Sequence, residues 1–394
     1  MRIKILHIQV LPKLSGVQKV SLEIFKNLSD EMYEKYILFS DSLDCGDRTE
    51  CIKEFEATGA KVLFSKHLKR EICASDLPAL IEIYKLCRRE RFDIVHTNST
   101  KPGIIGRIAA FLAGVPLVVH TVHGLSFHKF VKFPLWQFYW ACEMFASIFC
   151  HRIALVNKYY SKYFKWFKAK TCTIYNGVDY SKFPTTANDA HTDKKGRVDI
   201  LFVGRLDKPK NPLLLLESAR RLATTHPNAH FCIVGDGEYM EQCRRFVSDN
   251  HLENHVSLEG WQTNVYDYYQ RSDIFAVPSI YEAFGIMFLE AGYYRLPVCS
   301  TTAEGIPEVV INNTTGLLCE PNDADTFTKN LATLIDNADL RKEMGDNGHN
   351  HVTKCFSSSQ MVKEYLNIYK SGIAKQVVSD MSASSGRPAD DIGE

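Results

Sequence analysis

Short β-rich runs alternate with stretches of helical apolar spacing along nearly the whole sequence, and that alternation confines the chain to parallel sheets with crossover helices. In the first half, strands are expected at Ile3–Val10, Tyr36–Ser40, Lys61–Phe64, Ile94–Thr97, Leu117–Thr121 and Arg152–Val156. Helical spacing marks Gln18–Leu28, Asp76–Arg89 and Gly103–Ala113. In the second half, strands are expected at Asp199–Gly204, His230–Gly235, Val256–Glu259, Ile274–Pro278 and Val298–Ser300. Helices follow at Pro212–Thr224, Met240–Asn250, Val265–Ser272, Gly285–Tyr294 and Ala324–Asn337. Between the halves, Tyr180–Gly196 is polar and without apolar periodicity, as a linker would be. With 394 residues the chain is too long for one ordinary core and suits two α/β domains, expected over 1–185 and 197–356. A last helix is expected over 357–376, returning to the first domain, and the polar tail 380–394 is expected to be disordered.

Open parallel sheets bind ligands beyond the carboxyl ends of their strands, where helix N-termini point. The unusual polar residues of this chain fall just there. Arg205, Lys208 and Lys210 follow one strand and precede a helix that Asn211 can cap and Pro212 can open. A helix N-terminus with Arg and Lys before it is an anion site, although a solvated basic loop has the same composition. Glu282 lies in a loop after the strand ending at Pro278, and Glu290 lies in the apolar helix opened by Gly285. A carboxylate in an apolar run needs a partner, which vicinal ligand hydroxyls, a backbone group or an Arg would each supply. On a continuous helix the two Glu residues would stand about 12 Å apart, wider than the roughly 6.5–9.5 Å of an inverting hydrolase pair. Gly16 opens the turn after the first strand, and His123 closes another strand next to Gly124, where a structural histidine is the plain alternative. His96, Ser99, Thr100 and Lys101 end a strand and begin a helix, a possible second anion site for an acceptor phosphate.

Composition narrows the partners. A formal net charge of +1 gives no general case for nucleic acid. The 12 cysteines are scattered, with no C-x-x-C spacing, so reduced thiols fit better than zinc or redox chemistry. Asp323-Ala324-Asp325 reads as helix capping rather than a metal-binding D-x-D. Gly235-Asp236-Gly237 begins like G-x-G-x-x-G, but Met240 fills the third glycine's place, which argues against a nicotinamide dehydrogenase. The opening apolar run ends at Pro12 and Lys13, as a buried strand would, and no stretch has the length to span a membrane.

Taken in order, these stretches resemble the family-4 retaining glycosyltransferases of GT-B fold. The matching motifs are Ser15-Gly16-Val17-Gln18, Thr121-Val122-His123-Gly124, Ile174-Tyr175-Asn176-Gly177-Val178-Asp179, Phe202-Val203-Gly204-Arg205-Leu206, Ile233-Val234-Gly235-Asp236-Gly237, Glu282 with Glu290, and Gly305-Ile306-Pro307-Glu308. The resemblance implies two Rossmann-like domains facing across a cleft, with an acceptor-binding first domain and a nucleotide-sugar-binding second one. It implies that Arg205 and Lys210 neutralise the donor diphosphate and that Glu290 binds ribose. Glu282 with the backbone of Phe284, Gly285 and Ile286 would hold the donor sugar. Gly16 would approach the phosphate, and His123 would lie near the reacting groups. With Glu282, Arg205 and Lys210, His123 makes up the implied catalytic set. No metal or other cofactor is implied. Ser15 and Glu304 stand where the family often has a second glycine, and Ala283 and Met287 where it commonly has Gly and Pro, which bears on donor identity.

His96 with Ser99-Thr100-Lys101 and Gly103 looks like a subgroup that builds bacterial capsule and O-antigen, with UDP favoured over GDP and a lipid-linked or oligosaccharide acceptor. Phe127–Lys170, rich in Trp, Tyr, Phe and Lys, fits the cytosolic face of an inner membrane, with half its aromatics core on the plain reading. A GT-B-fold epimerase or phosphorylase, or a non-catalytic nucleotide-sugar-binding protein, remains as an alternative.

Overall fold

The computed structural model describes residues 2–41, 48–69, 73–184 and 196–384. The chain divides into two compact units. One comprises Met1–Val156, Tyr160–Ile174 and Met361–Glu394, and the other Asn157–Tyr159 and Tyr175–Gln360.

The first unit is built on strands β1 (Ile3–Ile8), β2 (Tyr33–Ser40), β3 (Lys61–Ser65), β4 (Ile94–Asn98), β5 (Leu117–Val122), β6 (Arg152–Leu155) and β7 (Thr171–Thr173). They pair in parallel in the order β3-β2-β1-β4-β5-β6-β7. Helices α1 (Gly16–Lys26), α2 (Thr49–Glu56), α3 (Asp76–Glu90), α4 (Thr100–Leu112) and α5 (Leu135–Ile148) make the connections. Every residue of β4 and β5 is buried, as expected of central strands covered on both faces. The strand order reverses between β1 and β4, so the loops leading into α1 and α4 flank a switch point.

In the second unit, β8 (Val198–Val203), β9 (Ala229–Val234), β10 (Val256–Gly260), β11 (Ile274–Ala276), β12 (Val298–Thr301) and β13 (Gly316–Cys319) pair in parallel in the order β10-β9-β8-β11-β12-β13. Its helices are α6 (Pro212–Leu222), α7 (Met240–Asp249), α8 (Tyr266–Arg271), α9 (Ile286–Tyr293), α10 (Ile306–Val309), α11 (Ala324–Asp336) and α12 (Ala338–Cys355). Here the reversal lies between β8 and β11. The loop carrying Arg205 and Lys210 and the loop carrying Glu282 therefore leave neighbouring strands.

Two boundaries differ from expectation. The last helix, α13 (Ser358–Ser384), runs beyond 376, so 380–384 are helical rather than disordered, and 385–394 lie outside the described residues. No helix breaker stands between Gly372 and Gly386 to stop it. Its Met361, Val362, Tyr365, Ile368 and Tyr369 recur at helical spacing and enter the first unit's core beside Phe25, Ile37 and Val119. The first domain was expected to reach 185, yet the unit boundary falls at Ile174, because Phe183 is buried among Tyr266, Tyr293 and Tyr294 of the second unit. The middle of the expected linker, 185–195, lies outside the described residues.

Candidate active site

The loop after β8 begins at Gly204 and is folded on itself by Asp207. The Asp207 carbonyl accepts from the backbone N–H groups of Lys210 and Asn211, and its carboxylate accepts from Lys210 N at 3.2 Å. Asn211 takes the left-handed conformation (φ +53°) that turns the chain into α6, with Pro212 at its first position. The loop is tied to the one after β11 by the Ile280 N–H, which donates to the Pro209 carbonyl at 2.8 Å. That contact brings Lys210 to Glu282. The two form a largely buried ion pair, with Lys210 Nζ also 3.5 Å from Met287 Sδ. Arg205 is 69% exposed and pairs with Asp207 at 2.8 Å, an arrangement water weakens and an incoming anion can replace.

Glu282 Oε1 lies 3.4 Å from the Phe284 N–H. Gly285 holds φ +82°, which a side chain would strain, and a Cβ there would crowd the rings and stems of Phe288 and Glu282. Ile286 opens α9. One turn on, Glu290 accepts from the Tyr269 hydroxyl at 2.9 Å, which gives the acidic residue of this apolar helix a neutral partner. Arg205, Lys210, Glu282, Phe284, Gly285, Ile286 and Glu290 thus gather on two loops and one helix start beside the second sheet's switch point.

The first unit sorts its residues differently. Gly16 is exposed at the start of α1, after Ser15 and Gln18 join side chains across the turn. His123 Nε2 donates to Asn98 Oδ1 at 3.0 Å, and burial pushes its pKa down to about 4, so the ring is neutral at pH 7. Ser99 (φ +66°) precedes Thr100 at the head of α4. Lys101 pairs with Asp76 at 2.7 Å, which takes up much of the charge expected for an anion. His96 is a correction: it is fully buried, with Nδ1 2.6 Å from the Tyr369 hydroxyl and Nε2 2.7 Å from Thr121 Oγ1. Both ring nitrogens are spent inside the unit, so it is a core histidine and not an acceptor ligand.

Two family models divide the sequence between them, "Glycosyltransferase Family 4" over residues 14–182 and "Glycosyl transferases group 1" over 185–351. A UDP-Gal:alpha-D-GlcNAc-diphosphoundecaprenol alpha-1,3-galactosyltransferase of Escherichia coli is 35% identical over 382 residues, covering 93% of this chain and 97% of that protein. The chain belongs to the family-4 glycosyltransferases. The capsular polysaccharide biosynthesis glycosyltransferase CapM of Staphylococcus aureus is 26% identical, over 93% of this glycosyltransferase and 96% of CapM. The GT-B fold is shown by solved structures: HepE of Anabaena, crystallised with UDP and glucose, matches with a TM-score of 0.78 at 18% identity over 94% of this chain and all of that one. Sucrose-phosphate synthase of Thermosynechococcus elongatus matches equally, at 0.78 and 18%, over 95% and 100%.

Within this glycosyltransferase, Gly235 and Gly237 have a role their spacing did not reveal. Gly235 (φ +140°) packs against the Gly204 carbonyl and Gly237 against the Leu206 carbonyl, each closer than any Cβ would permit. The Leu206 N–H donates to Asp236 O, and Tyr239 N–H donates back to Leu206 O. The Gly-Asp-Gly turn is therefore a backbone cradle for the loop bearing Arg205. Its spacing departs from a dinucleotide fingerprint, and the close approach it permits is to protein backbone.

Proposed function

We propose that this glycosyltransferase moves a hexose, galactose in first place, from a UDP-sugar to a lipid-diphosphate-linked saccharide acceptor, with retention at the anomeric carbon. The observation that carries the reading is the gathering of Arg205, Lys210, Glu282 and Glu290 beside the second sheet's switch point. Two cations at a helix start suit a diphosphate, and Glu290 at 2.9 Å from Tyr269 suits vicinal ribose hydroxyls. Glu282 beside the Phe284 N–H offers an acceptor and a donor to a sugar. The 35% identity to an enzyme acting on UDP-Gal and a GlcNAc-diphosphoundecaprenol supports both donor and acceptor class. A diphosphate binding here draws Lys210 toward itself and releases Glu282 to the sugar hydroxyls. Arg205 and Lys210 then stabilise the departing diphosphate in the place of a metal ion, and its oxygen takes the acceptor's proton on the same face. Neutral His123, at the end of β5, belongs to the same reading as a contact to sugar or acceptor, and Ser99 and Thr100 at the head of α4 as contacts to acceptor phosphate.

A lipid acceptor calls for a membrane surface, and the first unit has one suited to it. No described helix is long and apolar enough to cross a bilayer. Helix α5, however, exposes Leu135, Phe138, Phe145 and Ile148, with Phe133 (79% exposed) before it and Trp166 (76%) nearby in sequence. Phe127, Tyr160 and Phe164 of the same segment are core. Exposed Lys129, Lys132, Lys162, Lys165 and Lys168 supply positive charge for anionic lipid. The only charged residue of α5 is Glu143, buried against Arg107 at 2.9 Å. On this reading the enzyme works at the cytosolic face of the inner membrane in surface-polysaccharide assembly.

The test incubates the purified chain with UDP-galactose and a GlcNAc-diphosphate lipid in anionic vesicles, in buffer with EDTA, and determines the product's anomeric configuration. An α-linked disaccharide lipid is expected, with Phe138→Asp lowering turnover several-fold on vesicles but not on a short-chain acceptor in solution. An inverted product, dependence on a divalent ion, or sugar-nucleotide conversion without acceptor would each overturn its part of the reading.

A further inference from the structure

The loop Glu282–Ile286 is held by groups that lie outside it. Two consecutive carbonyls, Glu282 and Ala283, are each pinned by a separate donor. The Gly305 N–H donates to Glu282 O at 3.1 Å, and the Asn157 side-chain amide donates to Ala283 O at 2.5 Å. Gly305 has to be glycine for this, since a Cβ there would strike the Ala283 carbonyl and come within 3.3 Å of Asn157 Nδ2. Asn157 is fully buried. It stands in the short segment Asn157–Tyr159, which belongs to the second unit although the chain on both sides of it belongs to the first. Glu308 fixes that segment. Its carboxylate accepts from the Lys158 N–H at 2.8 Å, the Tyr159 N–H at 2.9 Å and the Tyr175 hydroxyl at 2.8 Å. The Phe284 ring closes the assembly by packing on Tyr175 and Phe356.

A trans peptide points its N–H opposite to its carbonyl. Pinning Ala283 O therefore aims the Phe284 N–H to the other side, toward the Glu282 carboxylate 3.4 Å away. We propose that Asn157 is a positioning residue for donor-sugar recognition, holding the Ala283–Phe284 peptide in the orientation that presents the Phe284 N–H, with Glu308 as the anchor that keeps Asn157 in place. This rests on the reading that the Glu282–Ile286 segment holds the donor sugar. Arg205, Lys210 and Glu290 are outside the Asn157 contact, so loss of the amide should spare recognition of the nucleotide and weaken recognition of the sugar.

The experiment measures binding of UDP and of UDP-galactose to the full chain, together with kcat and KM, for wild type, Asn157→Ala, Asn157→Ser and Asn157→Asp. The expected result is UDP affinity within twofold of wild type in all three. The preference for UDP-galactose over UDP and the kcat should each fall tenfold or more in Asn157→Ala and Asn157→Asp. Asn157→Ser, which keeps a shorter donor, should fall between. Glu308→Gln should lower kcat in the wild-type background and much less in Asn157→Ala. Thermal melts identify any variant that fails to fold, and the comparison then stands on the serine variant. A kcat and a UDP-galactose preference within twofold of wild type in Asn157→Ala, or equal weakening of UDP and UDP-galactose, would overturn the proposal while leaving the function intact. A wild-type chain that binds UDP but gains nothing from the sugar would overturn the donor-sugar reading itself.

Discussion

The polar groups at the carboxyl ends of the first sheet and those at the second sheet look alike in sequence and differ in how they are satisfied. In the first unit, His7, His96 and Tyr369 form a buried network. His7 lies 2.9 Å from Ser21 and 3.2 Å from Tyr369, and His96 bonds Tyr369 and Thr121. Next to it, His120 bonds Thr97 above the buried Arg107–Glu143 pair. In the second unit, Arg205 pairs with Asp207 at its exposed tip, Lys210 and Glu282 serve as each other's counter-ion, and Glu290 accepts from the neutral Tyr269 hydroxyl. A polar group with all its bonds made inside the protein supports the fold. One whose bonds are few, exposed or exchangeable is available to a ligand.

The sharpest way to break that contrast is to remove Lys210. Lys210→Ala should lower kcat/KM by 10²–10³, about 3–4 kcal/mol of transition-state stabilisation, with a fall in Tm as well because the largely buried Glu282 loses its counter-ion. Activity within tenfold of wild type would place the diphosphate elsewhere. A smaller effect is expected at Glu290. Glu290→Gln keeps the shape and the bond to Tyr269 but weakens the acceptor toward ribose, raising KM for UDP-galactose by about tenfold, roughly 1.4 kcal/mol, with kcat nearly unchanged. A fall in kcat at constant KM would instead assign Glu290 to the reacting end of the donor.

Much of this was legible in the sequence, for definite reasons. Central strands such as β8 and β9 are dominated by apolar residues, and the cations at Arg205 and Lys210 stand at a strand end before Asn211-Pro212, so both fold and anion site are local signals. What escaped was non-local or aperiodic. Strands β7 and β13 are three and four residues long, too short to show a period. Helix α5 is aromatic around much of its circumference and shows no apolar stripe, so its composition stands out in the sequence while its helical spacing does not. His96 carried the sequence features of a ligand, and only its partner Tyr369, 273 residues away, shows that it belongs to the core. Asn157 is the reverse case, an ordinary asparagine in sequence whose bond to Ala283 spans 126 residues.

The finest test of the contrast is acid stability, which should belong to the buried histidines and not to the open site. Burial lowers the pKa of His7 to about 3 and that of His123 to about 4, and holds His96 and His120 well below the usual 6.5. Above pH 6.5 these rings are neutral in both folded and unfolded chains and contribute no pH dependence. Below 6.5 the unfolded chain takes up protons that the folded one refuses, so each group favours unfolding by up to about 1.4 kcal/mol per pH unit. For His123 that continues until pH approaches about 4, and for His7 about 3. Thermal unfolding followed from pH 7.5 to 5 should therefore show Tm falling steadily below 6.5. His96→Gln, which gives up one of the refused protons, should lose some Tm at pH 7.5 and show a shallower decline. Lys210→Ala should keep the wild-type slope. A Tm that is flat between pH 7.5 and 5 would mean that the histidines of the first unit are reached by water, and that satisfaction by partners is not what separates the two clusters.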